Sequence, residues 1–332
     1  MSEKILVEAD HLVKNFSAKG AFGSKHDVVH AVSNVSLKIM EGETLALVGE
    51  SGCGKSTLGR VLLRMVEPTS GSVKFEGQEI SDLSAEKMRA YSRKMQFIFQ
   101  DPYASLDPQM TVFSIIAEPL VTHKVCANKE ELRAKVIELM KTVGIRPEFI
   151  NRYPHQFSGG QRQRIGIARA IALNPQFIVC DEPVSALDVS IQSQILNLLK
   201  DLQKQKGLTY LFISHDLGVV RYISNRVCVM FLGKICEIGS TEDIYSNPMH
   251  PYTKFLIDAV PTTDLSRRNA PKPLLAGEIP SPVNPPSGCR FHTRCPYAKP
   301  ICSEKEPEMQ EAGGRLVACH FPGCFQNTTK AE

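Results

Sequence analysis

Nine consecutive residues, Gly49-Glu50-Ser51-Gly52-Cys53-Gly54-Lys55-Ser56-Thr57, combine three glycines with a lysine and adjoining hydroxyls. Glycines let a chain curl until successive backbone N–H groups aim at one anion. Lys55 adds a compact positive charge for terminal phosphates, and the Ser56 hydroxyl suits Mg²⁺. The stretch follows the apolar run Thr44–Val48 and precedes a helix-compatible segment, the strand–loop–helix setting of a phosphate-binding P-loop. Nucleotide binding is the chemistry this implies.

Two further constellations fit it. The apolar run Phe177–Cys180 leads into Asp181 and Glu182, two carboxylates at the carboxyl end of a buried strand, the edge where open α/β sheets bind ligands. Asp181 is expected to partner Mg²⁺ and Glu182 to orient or deprotonate an attacking water. Upstream, Ser158-Gly159-Gly160-Gln161 opens a helical run, leaving N–H donors and a positive dipole end, a second anion site. One nucleotide does not need both, so the second is best explained as serving a nucleotide held by a partner subunit.

These groups need a scaffold. The short, non-alternating runs Thr44–Val48, Gln96–Phe99, Phe177–Cys180 and Tyr210–Ile213 predict strands covered on both faces, hence a parallel α/β core. Alternation over Ile5–Val13 and Val28–Ile39, around a polar loop at Ala18–Asp27, predicts a small antiparallel sheet. Residues from Asp101 to about 165 read as a helical insertion, with Leu132, Val136, Leu139 and Met140 forming one buried face of a helix over Lys129–Val143. From Pro261 through Pro271, Pro273, Pro280, Pro282, Pro285 and Pro286, proline density excludes long helix and central strand and predicts a linker into a cysteine-rich tail.

Composition narrows the classes. The 332 residues suggest one large domain with an appendage, or about two domains. A net charge of +4 gives no basic face for nucleic acid. No signal sequence or membrane-spanning run is apparent, so the chain is expected in the cytoplasm, peripheral to the cell membrane.

The P-loop, Ser158-Gly159-Gly160-Gln161, Asp181-Glu182, the turn Ser185-Ala186-Leu187-Asp188 and His215 occur in the order and spacing of ATP-binding-cassette (ABC) ATPase subunits, over roughly residues 5–260. Asn247-Pro248, His250-Pro251-Tyr252-Thr253, Gly277-Glu278-Ile279-Pro280-Ser281-Pro282 and Cys289-Arg290-Phe291 resemble the dipeptide and oligopeptide importer subfamily, and Gly49–Arg60 is more similar to its F-type than its D-type ATPase. The resemblance implies an ABC domain over 1–260 and a C-terminal oligopeptide-transporter-type domain over 261–332. It implies that Phe16 stacks on adenine, although simple strand packing remains open. Gln100 would contact Mg²⁺ and the attacking water where membrane subunits couple, His215 would be the switch histidine near the γ-phosphate, and Asp188 would cross a dimer interface. Ser158 and Gly160 would contact the γ-phosphate of ATP on the partner. Phe157 departs from the leucine many relatives carry.

The implied partners are a paralogous D-type ATPase, two transmembrane permease subunits and an extracytoplasmic peptide-binding protein, with no nucleic acid. The implied work is ATP-driven import of di- or oligopeptides. A nickel or small-solute importer is the alternative, and a soluble ABC protein acting on ribosomes or DNA a more distant one.

Cys289, Cys295, Cys302 and Cys319 are separated by five, six and sixteen residues without a Cys-x-x-Cys pair, so four thiolates could hold a 4Fe-4S cluster or Zn²⁺, or remain reduced. The resemblance implies the 4Fe-4S cluster, with Cys324, His292 and His320 nearby. Cys53, beside several N–H donors, is expected to be unusually acidic. Cys126, Cys180, Cys228 and Cys236 read as small buried hydrophobes.

Overall fold

The structure, a computed structural model, describes residues 4–18, 27–260 and 277–326. Its first half runs β1 (Ile5–Ala18), β2 (Asp27–Met40), β3 (Thr44–Val48), α1 (Lys55–Leu62), β4 (Ser70–Phe75), β5 (Gln78–Glu79), α2 (Ala85–Ser92), β6 (Met95–Ile98), α3 (Val112–Thr122), α4 (Lys129–Thr142) and α5 (Gly159–Ile171). There follow β7 (Phe177–Asp181), α6 (Val189–Lys206), β8 (Thr209–Ile213), α7 (Leu217–Ile223), β9 (Arg226–Phe231), β10 (Lys234–Ser240), α8 (Thr241–Ser246), α9 (Pro251–Asp258), α10 (Pro300–Glu304), β11 (Gln310–Ala312) and β12 (Arg315–Val317). The chain divides into two compact units.

The unit built mainly on Asp82–Ile213 carries three parallel strands: β6 pairs with β7 from Met95 opposite Phe177, and β7 with β8 from Phe177 opposite Thr209. Every residue of β7 and β8 is buried, which is why neither run alternates: a strand covered on both faces has no solvated position. The strand expected at Gln96–Phe99 begins one residue earlier. The helical insertion is α3, α4 and α5, with α3 packed on both others. Asn128 caps α4 by accepting from the Glu131 amide at 2.9 Å. Val136, Leu139 and Met140 are buried along one face, worth about 1.5–3 kcal/mol each. Leu132, expected with them, is half-buried.

The second unit joins the described residues of Ile5–Ile39, Thr44–Ser81 and Ser214–Glu332. It holds an antiparallel sheet of order β2-β1-β4-β5, with Val7 opposite Phe75; β2 alternates buried and exposed residues toward its end, as a one-sided strand must. Beside it, β3 pairs in parallel with β9, and β9–β10, β10–β12 and β12–β11 are antiparallel. Ala46, Val48, Val229, Phe231, Tyr252 and Phe291 share one buried cluster. Phe291 thereby anchors the cysteine-bearing segment, and β12 adds it to the β10 edge.

Residues 19–26 of the expected polar loop, and Pro261, Pro271 and Pro273 of the expected linker, lie outside the described residues. The boundary expected at 260/261 adjoins that second stretch.

Candidate nucleotide site

The P-loop runs from β3 into α1. Gly49, Gly52 and Gly54 take φ of +153°, +77° and +102°, a region side chains avoid. Two of them are also required by space. A Cβ on Gly49 would lie 2.1 Å from the Met230 carbonyl oxygen, and one on Gly54 1.9 Å from that of Ala31. Lys55 is buried at the start of α1, its Nζ donating to the carbonyls of Gly49 at 2.8 Å and Glu50 at 2.9 Å. Ser56 and Thr57 are half-buried in the first turn, while Ser51 and Gly52 are exposed.

His215 belongs to the same unit. The Ser214 amide donates to the Leu47 carbonyl at 3.2 Å, tying the residue before His215 to the strand that delivers the P-loop; the imidazole is exposed. The Phe16 ring is 40% exposed with Lys14 Nζ 4.9 Å from its centroid.

In the other unit, Asp181 is buried at the end of β7. Glu182 follows with φ +44°, a conformation that costs free energy and persists only where surroundings impose it. Here its amide donates to the Ile213 carbonyl at 3.0 Å and Ser185 Oγ donates to its carbonyl at 3.1 Å. Gln100 Nε2 donates to Glu182 Oε2 at 2.9 Å. Two residues expected to handle one water are thus in direct contact.

Ser158 caps α5. Gln161 Oε1 accepts from the Ser158 amide at 3.1 Å and Ser158 Oγ accepts from the Gln161 amide at 3.4 Å, a reciprocal capping box. Gly160 is needed for packing: a Cβ there would meet Ile191 Cγ2 at 2.4 Å, and one on Gly159 would meet Leu187 Cδ2 at 3.3 Å. The Ser185–Asp188 turn and the start of α6 therefore lie against the start of α5. Asp188 is the exposed N-cap position of α6.

The chain matches the family "ABC transporter" over residues 32–185 and "Oligopeptide/dipeptide transporter, C-terminal region" over 236–302. The oligopeptide transport ATP-binding protein AppF of Bacillus subtilis is 54% identical over 326 residues, covering 96% of this chain and 98% of AppF. The corresponding OppF of Salmonella typhimurium is 49% identical over 320 residues, covering 95% and 96%. The chain belongs to the oligopeptide-type ABC transporter ATP-binding subunits. Among solved structures, the dimeric ATP-binding cassette MJ0796, bound to ADP and Pi after hydrolysis, matches this ABC subunit with a TM-score of 0.64 and 32% identity, over 71% of this chain and 99% of its own.

Two cysteine expectations for this ABC subunit need correction. Cys53 is not acidified: burial pushes its thiol up and outweighs the neighbouring Lys55 cation and hydrogen bonds. Cys126 is half-buried outside any helix or strand. Cys180, Cys228 and Cys236 are buried as expected, burial raising the Cys228 thiol to about 12.

In the tail, Cys289, Cys295, Cys302 and Cys319, with Cys324, line one void of about 20 Å³, the room of about one water. Burial raises Cys295 and Cys319 to about 12. Among the described residues no group of three or more His, Cys, Asp or Glu side chains is arranged to hold a metal ion. The 4Fe-4S expectation is therefore not carried by the structure.

Three contacts were not anticipated. Arg294 Nη1 donates to Glu50 Oε2 at 2.7 Å, Tyr252 Oη accepts from the Glu50 amide at 2.9 Å, and Phe291 packs on Tyr252 with ring centroids 5.2 Å apart. Tyr252 and Phe291 were visible only as members of recurring motifs without a role; Arg294 carried no signal beyond lying between two cysteines.

Proposed function

We propose that the subunit hydrolyses ATP to power import of di- or oligopeptides. The carrying observation is that one chain joins a fully furnished P-loop and a capped Ser158-Gly159-Gly160-Gln161 helix start to the C-terminal region of oligopeptide transporters. In this reading Gly49–Thr57 cradle the phosphates and Phe16 stacks on adenine. Ser56, Gln100 and Asp181 would supply oxygen donors for Mg²⁺, which would neutralise charge on the phosphates. Glu182, steadied by Gln100, takes a proton from the attacking water, and His215 contacts the γ-phosphate. Ser158, Gly160 and Asp188 serve a nucleotide on the partner ATPase, so that ATP closes a two-subunit sandwich.

Among the described residues no helix is long and apolar enough to cross a membrane. We place the chain at the cytoplasmic face of the cell membrane, with a paralogous D-type ATPase, two permease subunits and an extracytoplasmic peptide-binding protein. Gentle purification of the tagged chain from native membranes should recover those partners. Recovery without any multi-span protein would remove transport from the description.

For the tail we propose a 4Fe-4S cluster on Cys289, Cys295, Cys302 and Cys319. The donor chemistry supports it, since the usual ligands of such a cluster are four cysteines; the thiols around the void of about 20 Å³ would have to move apart to admit one. When bound, such a cluster would cross-link the segment. Iron and sulfide in anaerobically purified protein are expected; stoichiometric zinc, or neither metal, would refute it.

A further inference from the structure

We infer that Arg294 is a positioning residue for the nucleotide site: from the C-terminal segment it fixes the conformation of the P-loop through the Glu50 carboxylate. The inference rests on the reading of Gly49–Thr57 as the ATP-binding loop. Glu50 is the second residue of that loop, and a side chain on its neighbour Gly49 would meet the Met230 carbonyl oxygen at 2.1 Å. Two side chains from different elements grip Glu50. Arg294 Nη1 reaches its carboxylate at 2.7 Å, and the Glu50 amide donates to the hydroxyl of fully buried Tyr252, against which Phe291 packs with its ring tilted by 53°. The carbonyl of the same residue accepts from Lys55 Nζ at 2.9 Å. Amide, carboxylate and carbonyl of Glu50 are therefore each held by a different element.

The ion pair is built for position rather than for solvent. The Arg294 side chain is only 6% exposed and that of Glu50 21%, and Arg294 Nε is buried with no hydrogen-bond partner. An arginine that leaves one donor unsatisfied in order to reach a single carboxylate gives up hydrogen-bonding free energy. A lysine or a solvated contact would not have cost that donor. Arg290 braces the same segment, donating to the Leu232 carbonyl and to Ser33 Oγ, so Arg294 reaches Glu50 from an anchored base. Ordering of this segment and ATP affinity are thereby coupled.

The test is ATP titration by calorimetry on the purified full-length chain, with the thermal unfolding midpoint read separately. Arg294→Met is expected to weaken ATP binding about fivefold or more, the lower range of couplings between sites. Arg294→Lys should recover part of the loss, since it restores charge without the planar fork. Glu50→Gln should weaken binding similarly, and the double variant no more than either single one, because the pair acts as a unit. Additive losses, or affinity within about twofold of wild type despite a lowered midpoint, would overturn the inference and leave Arg294 a purely structural residue. If Arg294→Met does not fold, the isosteric Glu50→Gln decides, and unchanged affinity there overturns it. Failure of the wild type to bind ATP would instead remove the nucleotide reading itself, and shows before any substitution is made.

Discussion

The two helix starts proposed to meet phosphate, at α1 and at α5, are built on opposite principles. At α1 the loop has folded onto itself. Lys55 is buried against two loop carbonyls, and Gly49 and Gly54 are pressed against backbone carbonyls that cannot yield. At α5 the helix caps itself through Ser158 and Gln161 near the surface, and Gly160 is pressed against a side chain, Ile191. The first is a site whose shape is enforced from within its own unit. The second uses its cap to bond the Ser158 and Gln161 amides and leaves the Gly159 and Gly160 amides outside the cap, as suits a surface proposed to complete another subunit's site.

The largest expected effect would break the α1 side of this contrast. Gly54→Val must displace the Ala31 carbonyl, so we expect loss of ATP binding and destabilisation of about 3 kcal/mol or more, read by nucleotide titration and urea unfolding. Retained binding would show that the loop is less rigidly framed than its contacts imply. Glu182→Gln should preserve ATP binding while lowering turnover at least about tenfold, since it removes a base without altering the fold; steady-state hydrolysis checks this.

Ser158→Ala sharpens the α5 side. It should cost about 1 kcal/mol of stability through the lost cap, leave ATP affinity of the lone chain unchanged, and depress hydrolysis only when the partner ATPase is present. A change in the lone chain's affinity would erase the distinction between the two sites.

Outside both helix starts lies a pH dependence beneath the P-loop. Burial lowers His250 to about 3 from an ordinary 6.5, and its Nδ1 accepts from the Tyr252 amide, which requires the neutral ring. The unfolded chain takes up this proton as pH falls below 6.5 and the folded chain does not, so stability is full above 6.5 and is lost toward 3. Glu237, whose carboxyl burial raises despite its bonds to the Met249 and His250 amides, acts in the opposite sense. Urea unfolding at pH 7 and 5 should show wild type losing about 2 kcal/mol more than His250→Asn.

Much of the site was legible because its residues obey local rules. The P-loop glycines, the Ser158 cap, and the carboxylates ending a non-alternating strand each announce themselves within about nine residues, and the strands around them appear where apolar runs lie between turn-forming residues. Boundaries shifted by a residue at β6 because hydrogen bonding to β7, rather than hydropathy, ends a strand. Cys53 was misjudged for a related reason: N–H donors are visible in a motif, but the burial that overrides them is produced by residues distant in sequence, such as Met230, whose carbonyl crowds the loop.

The sequence by itself determined the chemistry: which groups could hold phosphate, which carboxylate could take a proton, and which cysteines could gather. Those properties depend on residue type at short spacing. Only the tertiary structure decided that the Glu182 carboxylate is steadied by Gln100 across 82 positions, and that Glu50 is held by Arg294 across 244. Long-range pairs are selected by how strands and segments pack, and packing depends on the fit of the whole buried set, which no local spacing records.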